Sequence, residues 1–444
     1  MVRTPRARTP SSTPGTSLPD SPLDTEVIVA GGGPGGAIVA ARLAQKGRRV
    51  IVLERERFPR FHLGESLLPQ SMSALAAIGV LDKVDALFIR KHGAHFHDSA
   101  TGRSVRFDFA DAFHAEYNNA YEVPRDAFDE LLLRRAEELG ADVREGWAVT
   151  RVRFEEGRAV GVDACDPQGA SHRIDASIVV DATGRDALLA HARHTTEPIK
   201  TLDTTALFSH WEGAYRDEGG REGDIQIVLF GGDADGLASG GAAPMGWFWF
   251  IPFKDGRTSV GAVIRGAWMR AHKGEPIEAL YARAVAESPV ASRFLAGATQ
   301  LWPARAAADF SFRVRDLSGD GWLAVGDSGG FIDPLFSTGA HVAMHGGLHA
   351  ADAIDAALLA GDVSKARFLA WEKYVRQGAE LFLTMVESFY VGMLPPLLFT
   401  DKPHPYLRRV ITSMLSGNVF DEDARWIKDA RTRFQTHEEP ETTL

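Results

Sequence analysis

Cysteine is almost absent from this chain of 444 residues, which contains only Cys165. One cysteine cannot form an internal disulfide or supply the ligands of a cysteine-based metal cluster. A reducing, cytoplasmic compartment is therefore expected. The chain is long enough for one large domain that carries a second layer, and its hydrophobic fraction of 45% supports a sizeable core.

Long uninterrupted apolar runs and an excess of positive charge are also missing. The most apolar stretch, Leu381 to Phe399, contains Glu387 and the pair Pro395-Pro396, so it predicts a buried or interfacial helix rather than a membrane span. The formal net charge of −10 argues against nucleic acid as a partner. Residues 1–24 are rich in Pro, Ser, Thr and Arg, which predicts a disordered leader and not a signal peptide.

A strand, a glycine-rich turn and a helix follow this leader. Gly31, Gly33 and Gly36 occupy the three positions of G-x-G-x-x-G directly after the apolar residues 26–30. The first glycine permits a tight turn, the second lets a pyrophosphate approach the backbone, and the third lets helix and strand pack closely. Glu54 ends the next strand, where it can accept hydrogen bonds from an adenosine ribose. The pattern predicts a dinucleotide at the helix N-terminus; a glycine-rich loop without a ligand is the alternative.

A second segment, far along the chain, indicates which dinucleotide binds. The apolar residues 322–325 lead into Gly326-Asp327, and the spacing F-x-x-P-x-x-S-x-G runs from Phe331 to Gly339. Asp327 is suited to bind the hydroxyls of a ribityl or ribose chain. The sequence has no second glycine fingerprint, so one dinucleotide is expected. A late Gly-Asp paired with an early fingerprint resembles the FAD-dependent oxidoreductases of the aromatic hydroxylase fold.

The expected fold is therefore α/β, with a FAD-binding Rossmann-type domain of the aromatic hydroxylase fold. The domain is expected over 25–200 and again over 316–355. Residues 201–315 alternate short strands and turns, which predicts an antiparallel-sheet substrate layer. A helical C-terminal region is expected over 356–444.

Further segments narrow the resemblance to one family. Trp247 to Pro252 reads W-x-W-x-I-P, and Phe88 to Phe96 reads F-x-x-K-x-G-x-x-F around Lys91. Together with Arg60 to Ser66 and the two glycine segments, they resemble the FADH2-dependent halogenases from about residue 24 to about residue 355. The resemblance implies that FADH2, O2 and chloride or bromide give hypohalous acid. It also implies a separate NAD(P)H-dependent flavin reductase as the source of FADH2.

The resemblance assigns roles to the reactive end of the site. In such enzymes the lysine that corresponds to Lys91 lies between flavin and substrate, where it hydrogen-bonds hypohalous acid or forms a haloamine. Backbone N–H groups of Thr338 and Gly339, at the start of a helix, are the candidate halide site. Capping of that helix by Ser337 or Thr338 is the alternative, because it uses the same groups.

Other implied roles concern the substrate. Trp247, Trp249 and Pro252 correspond to a wall that denies organic substrates access to the flavin, although two indoles on one strand face also suit a core. Phe336 stands where tryptophan halogenases carry a glutamate that assists the lysine, so a potential general base is missing. The resemblance therefore implies a phenolic or pyrrolic substrate, free or bound to a carrier protein, instead of tryptophan.

Several assignments remain open on sequence alone. Ser66, Arg125 and Gly339 are further candidates for cofactor contacts, and a surface position is equally compatible with Arg125. The stripe His341, His345 and His349 has the spacing of one helix face, but no acidic residue completes a zinc site and no metal is expected. A flavin monooxygenase, an alkene reductase or a non-catalytic flavin-binding protein are the alternatives to a halogenase.

Overall fold

The computed structural model describes residues 24–113, 116–231, 243–308, 311–421 and 423–434, so nearly all of the expected leader lies outside the described residues. The strands are β1 Thr25–Ala30, β2 Val50–Glu54, β3 Ile89–Lys91, β4 Gly93–Asp98, β5 Ser104–Asp108, β6 Ala120–Glu122, β7 Asp142–Glu145, β8 Ala148–Glu155, β9 Arg158–Cys165, β10 Ser171–Asp181, β11 Thr196–Pro198, β12 Thr204–Glu212, β13 Ile225–Phe230, β14 Gly246–Pro252, β15 Arg257–Arg265, β16 Thr299–Gln300, β17 Arg305–Ala308, β18 Phe312–Val314, β19 Ser318–Gly319, β20 Trp322–Ala324 and β21 Gly330–Phe331. The helices are α1 Pro34–Gln45, α2 Met72–Ala77, α3 Leu81–Leu87, α4 Arg125–Glu138, α5 Leu188–Ala192, α6 Gly266–Ala271, α7 Ile277–Ala286, α8 Pro289–Phe294, α9 Thr338–Leu359, α10 Leu369–Tyr390, α11 Pro395–Leu398, α12 Pro405–Leu415 and α13 Arg425–Phe434.

A mainly parallel sheet forms the first layer, in the order β19-β20-β10-β1-β2-β7. The central strand β1 pairs in parallel with β10 and β2, which aligns Val27 with Ile178 and with Val50. Residues 27–30 are buried almost completely, as expected of a parallel strand in an α/β sheet. The predicted α/β fold class is confirmed.

Helix α9 returns from late in the sequence to pack against α1. Two glycines allow this close approach. A Cβ atom on Gly347 would lie 2.9 Å from the carbonyl oxygen of Gly35, and one on Gly35 would lie 3.3 Å from the carbonyl oxygen of Ala343. The start of α9 is therefore held beside the glycine turn that begins α1, and both ends of the sequence contribute to one site.

The second sheet has the order β16-β12-β15-β14-β13-β4-β5, with β17 also beside β12. Its pairs are antiparallel except for β13 with β4, where Ile227 aligns with Phe96. All seven residues of β14 are buried. The sheet thus combines the predicted antiparallel strands with β4 and β5, which come from residues 93–108.

Strand β10 runs without a break from Ser171 to Asp181 and changes partners along its length. Its first half pairs antiparallel with β9, and its second half pairs in parallel with β1. One continuous strand thus joins the antiparallel β8–β9 pair to the parallel strands, a feature that local periodicity does not reveal.

Two helices account for the most apolar stretch of the sequence. Helix α10 ends at Tyr390, and the short α11 begins at Pro395, where proline is tolerated in a first turn. Phe382, Phe389 and Leu394 are fully buried, in agreement with the prediction of a buried helix. Among the described helices, none combines the length and the apolar character needed to cross a bilayer.

Candidate active site

The glycine turn between β1 and α1 is shaped by two contacts that admit no side chain. Gly31 has φ +106°, and a Cβ atom there would lie 2.2 Å from the carbonyl oxygen of Ala182. A Cβ atom on Gly36 would lie 2.1 Å from the carbonyl oxygen of Gly31. Gly33 precedes α1, so no side chain caps the first N–H groups of the helix. These groups are free to bind a pyrophosphate.

A cavity of about 680 Å³ opens from this turn and collects most of the predicted site residues. Its lining includes Gly31, Gly33, Gly36, Glu54, Ser66, Arg125, Trp247, Trp249, Asp327, Thr338 and Gly339. Lys91, Pro252 and Phe336 do not belong to the lining. The volume is within the range of ligand pockets, roughly 300–1,000 Å³. The glycine turn and the cavity are therefore compatible with the elongated dinucleotide predicted from the sequence.

Glu54 reinforces the turn and faces the cavity. One carboxylate oxygen accepts a hydrogen bond from the Gly32 N–H at 2.7 Å, and the other accepts from the Glu56 N–H at 2.8 Å. A carboxylate has about four lone-pair positions, so it retains capacity for a ribose hydroxyl.

The return segment brings Asp327 to the same cavity. Gly326 has φ +67°, which turns the chain after β20. Burial raises the pKa of Asp327 to about 6, although Arg125 and Arg185 oppose the shift. Arg125 holds Asp129 with two hydrogen bonds of 2.6 and 2.9 Å and also donates to the backbone carbonyl of Leu63. Arg125 thus anchors the 63–66 loop over the cavity, instead of lying on the surface.

The start of α9 presents backbone N–H groups to the same cavity. Ser337 has a left-handed backbone with φ +56°, and its side chain does not cap the helix. Gly339 lies close to Asp327, because a Cβ atom there would be 3.7 Å from the Asp327 carboxylate. The sequence leaves open whether the N–H groups at this helix start bind a halide or are capped by a side chain. The Ser337 side chain does not cap them.

Trp247 and Trp249 lie on one face of β14, with ring centroids 6.0 Å apart. The Trp249 indole N–H donates to the Ser259 hydroxyl at 3.1 Å, within the sheet. The Trp247 N–H donates to the Tyr390 hydroxyl at 3.0 Å, and Tyr390 donates to Asp333 at 2.8 Å. Burial raises the pKa of Asp333 to about 7. This chain of hydrogen bonds joins the W-x-W segment to the loop that precedes α9.

Lys91 is buried behind the cavity wall, with a relative exposure of 1%. Its Nζ donates to the Ser66 hydroxyl at 2.7 Å and to the Leu67 carbonyl at 3.1 Å. The Ser66 hydroxyl in turn donates to Glu122 at 3.1 Å. Burial lowers the pKa of Lys91 and raises the pKa of Glu122 to about 8. Ser66, which lines the cavity, therefore separates Lys91 from it.

Sequence reasoning missed several buried polar residues of this region. Glu122 lies three residues before Arg125, and Glu65 directly precedes Ser66. The sequence analysis assigns neither glutamate a role in the site. His210 approaches Glu65 with 3.1 Å between Nε2 and Oε1. These contacts join segments up to 145 residues apart, and no local spacing signals them.

The histidine stripe of α9 has protein partners. His341 contacts the Ser71 hydroxyl and the Gly417 carbonyl, and His345 contacts the Tyr374 hydroxyl at 2.6 Å. Within the described ranges, no group of three or more His, Cys, Asp or Glu side chains is arranged to hold a metal ion.

Comparison with known proteins identifies the family. A family model described as tryptophan halogenase matches residues 26–117 and 101–393. A tryptophan 2-halogenase of Chondromyces crocatus is 34% identical over 375 residues, which cover 83% of this chain and 68% of the relative. A 1H-pyrrole-2-carbonyl peptidyl-carrier-protein chlorinase of Pseudomonas fluorescens is 29% identical over 416 residues, which cover 89% of this chain and 90% of the relative.

A solved structure supports the same conclusion. The myxobacterial chondrochloren halogenase, described as a variant of FAD-dependent halogenases, has 31% identity and a TM-score of 0.77 over 94% of each chain. The predicted resemblance is confirmed. The chain has the glycine cradle and the Gly-Asp return segment, and it shares these similarities with known halogenases. It therefore belongs to the tryptophan-halogenase family of flavin-dependent halogenases, oxidoreductases that use FAD and a halide.

Proposed function

We propose that this enzyme delivers halogen from hypohalous acid, by way of Lys91, to an electron-rich phenolic or pyrrolic substrate. Bound FADH2 supplies two of the electrons that reduce O2, while chloride or bromide supplies the other two and becomes hypohalous acid. The observation that carries the proposal is the position of the Lys91 Nζ, buried and 2.7 Å from the hydroxyl of the cavity residue Ser66.

The glycine cradle and two acids hold the cofactor in this proposal. The N–H groups at the start of α1, after Gly31 and Gly33, bind the pyrophosphate, and Gly36 keeps helix and strand close. Glu54 accepts hydrogen bonds from the adenosine ribose, and Asp327 accepts them from the ribityl chain. Free exchange of the cofactor suits an enzyme that receives FADH2 from a separate NAD(P)H-dependent flavin reductase in the cytoplasm.

Halide and hypohalous acid are handled by groups on different elements. The backbone N–H groups of Thr338 and Gly339 bind the halide, since an uncapped helix start favours an anion. Trp247 and Trp249 form the wall that keeps an organic substrate from the flavin. They line the cavity with their edges fixed by hydrogen bonds to Tyr390 and Ser259.

Lys91 selects where the electrophile goes. A neutral amine displaces hydroxide from hypohalous acid: an N–halogen bond forms, the O–halogen bond breaks, and the N–H proton leaves with the oxygen as water. A lysine that instead hydrogen-bonds hypohalous acid directs it without this exchange. Desolvation favours the neutral amine that the first route needs.

The proposed substrate class rests on the residue at position 336. Phe336 is buried, and no carboxylate replaces the glutamate of tryptophan halogenases there. A phenol or pyrrole is activated by its own OH or NH, so it depends less on such a base. The carrier-bound pyrrole named for the Pseudomonas chlorinase makes a carrier-bound substrate a specific candidate.

The test combines the purified enzyme with a generic flavin reductase, NADH, FAD, and chloride or bromide. The substrate panel contains free phenols, a pyrrole-2-carbonyl thioester on a carrier protein, and tryptophan, with products read by mass spectrometry. Lys91→Met is expected to lower product formation at least about 1,000-fold, because it removes the nucleophilic amine but conserves volume. Flavin affinity is expected to stay within about threefold, since Lys91 does not line the cavity.

Lys83→Met is the matched control, because Lys83 is exposed and pairs with Glu138 on the surface. It should halogenate like the wild type. An oxygen-only mass shift would favour a monooxygenase, and halogenated tryptophan without halogenated phenol or pyrrole would contradict the proposed substrate class. Product formation that survives Lys91→Met would contradict the role of the lysine.

A further inference from the structure

We propose that Glu122, acting through the Ser66 hydroxyl, takes the proton from Lys91 and so prepares the neutral amine. This inference rests on the proposed function of Lys91. Glu122 is a positioning residue in this scheme, since it acts on the lysine and not on the substrate or the flavin.

Strand pairing brings the three side chains together. Strand β3 pairs antiparallel with β6, which aligns Ile89 with Glu122 and Lys91 with Ala120. Lys91 and Glu122 are thus diagonal neighbours on one face. An isolated β-bridge between Ser66 and Glu122 adds the loop residue on the other side of β6. The backbone therefore fixes a lysine, a hydroxyl and a carboxyl group in one row.

The hydrogen bonds form a directed path from nitrogen to carboxyl oxygen. Lys91 Nζ donates to Ser66 Oγ at 2.7 Å, and Ser66 Oγ donates to Glu122 Oε1 at 3.1 Å. The direct distance from Nζ to Oε1 is 3.9 Å, beyond hydrogen-bond reach. A proton that leaves Lys91 for Ser66, while the Ser66 proton moves to Glu122, converts the ammonium and carboxylate into amine and carboxylic acid. One N–H bond breaks, one O–H bond forms on Glu122, and nothing is oxidised or reduced.

The donor and acceptor count fits the neutral pair. Lys91 makes two hydrogen bonds among the described residues, one fewer than an ammonium can donate. In the neutral pair the amine still donates to the Leu67 carbonyl, and its lone pair accepts from the Ser66 hydroxyl, so both bonds are kept. The Glu122 Oε2 atom is buried without a described partner, an arrangement that penalises a carboxylate strongly. Burial lowers the pKa of Lys91 and raises that of Glu122 to about 8, the directions that a transferred proton requires.

The other acidic groups near Lys91 and Glu122 already have hydrogen-bond partners. Asp224 accepts hydrogen bonds from the His92 and Gly93 N–H groups and from Arg106 at 2.7 Å. Glu65 contacts His210. Asp224 favours the ammonium form of Lys91, whereas Asp224 and Glu65 both favour the protonated form of Glu122. Glu122 is thus the acceptor that the Ser66 hydroxyl connects to Lys91.

The test measures the reactivity of the Lys91 amine toward cyanate, which carbamylates only neutral amines. Peptide mass spectrometry follows Lys91, and surface Lys83 serves as the internal reference. In the wild type the reactivity of Lys91 relative to Lys83 should fall between about pH 6 and pH 8, because the proton moves within the pair and the neutral fraction of Lys91 stays constant while that of an exposed lysine rises. In Glu122→Gln this ratio should stay nearly constant, since the Lys91 proton must then leave for solvent, as the proton of an exposed lysine does. The same pH dependence in both proteins would overturn the proposal.

Serine variants and a second buried glutamate separate a relay from a structural role. Ser66→Ala should lower halogenation at least about tenfold, and Ser66→Thr, which retains the hydroxyl, should restore most of it. Equal rates in Ser66→Ala and Ser66→Thr would overturn the relay. Glu372→Gln is the control, because Glu372 also accepts a buried hydrogen bond from a serine, Ser318, at 2.7 Å; it should leave the Lys91 profile unchanged.

The cyanate measurement needs no halogenation, so the two proposals fail separately. A wild type that makes no halogenated product refutes the proposed function even if the carbamylation profiles differ. A wild type that halogenates, with carbamylation profiles unaffected by Glu122→Gln, refutes only the relay. Flavin affinity and thermal unfolding of each variant show whether it is folded.

Discussion

The cavity takes its shape from main-chain atoms at the glycine turn and from side chains at the end near Lys91. At the cradle, the shape comes from main chain: Gly31, Gly36 and the uncapped start of α1 lie within one short segment. At the reactive end, the shape comes from side chains that meet from distant segments, such as Trp247 with Tyr390 across 143 positions and Ser66 with Glu122 across 56. The cradle therefore depends on the absence of side chains, and the reactive end depends on particular ones.

This difference determines how substitutions at each end should affect binding and stability. A Cβ atom added to the cradle collides with backbone that cannot move without disturbing β1 and α1. A side chain removed from the reactive end leaves a hole or an unpaired polar group, which costs less and is felt locally. The predictions below test this contrast, in order of decreasing effect.

Gly31→Ala is expected to have the largest effect. The new methyl group would lie 2.2 Å from the Ala182 carbonyl oxygen, at a residue whose φ of +106° already disfavours a side chain. Flavin affinity should fall at least about 100-fold, measured by quenching of flavin fluorescence during titration. The melting temperature should fall as well, because the turn links β1 to α1.

The control for this substitution is Gly47→Ala. Gly47 also has a positive φ, +78°, but a Cβ atom there meets nothing within 4 Å. The Gly47→Ala variant should have a free energy of unfolding about 1 kcal/mol lower than the wild type, and its flavin affinity should be unchanged. If both variants bind flavin equally well, the cradle does not depend on steric exclusion and the contrast between the two ends is wrong.

The same contrast explains how far the sequence alone could lead. Gly31, Gly36 and Asp327 were predictable because each sits in a short pattern with a local structural reason. Lys91 was assigned a role through the resemblance, not through its surroundings, and this role stays a prediction. Glu122 and Asp333 were missed because their contacts depend on the β3–β6 register and on the packing of α10, which no local spacing encodes. The dual pairing of β10 was missed for the same reason.

Asp333→Asn is expected to have an intermediate effect that depends on pH. Burial raises the folded-state pKa of Asp333 to about 7 from an ordinary value of 3.8. Between these values the unfolded chain loses the proton and the folded protein keeps it, so this group lowers the free energy of unfolding as pH rises. The loss is on the order of 3 kcal/mol. Asparagine cannot ionise, so the free energy of unfolding of the variant should increase relative to that of the wild type as pH rises from about 4 to about 7.

Urea unfolding at several pH values measures this difference. Asp352→Asn is the control, because Asp352 lies on the surface of α9 in an ion pair with Arg42. Its difference from the wild type should stay within a few tenths of a kcal/mol over the same range. A pH-independent difference between Asp333→Asn and the wild type would mean that Asp333 is already ionised beside Tyr390 in the folded protein.

Trp247→Phe is expected to have the smallest effect, and it tests the side-chain wall directly. The substitution keeps an aromatic ring but removes the N–H that donates to Tyr390, so the connection from β14 to α10 is weakened by one hydrogen bond. Under the proposed function, the fraction of hypohalous acid that reaches the substrate should fall about threefold to tenfold. The measurement is the ratio of halogenated product to hypohalous acid trapped by monochlorodimedone. Trp249→Phe loses a bond to Ser259 within the same sheet, and it should change this ratio less. Equal losses in the two variants would mean that ring size alone forms the wall and that the link through Tyr390 to Asp333 contributes nothing to it.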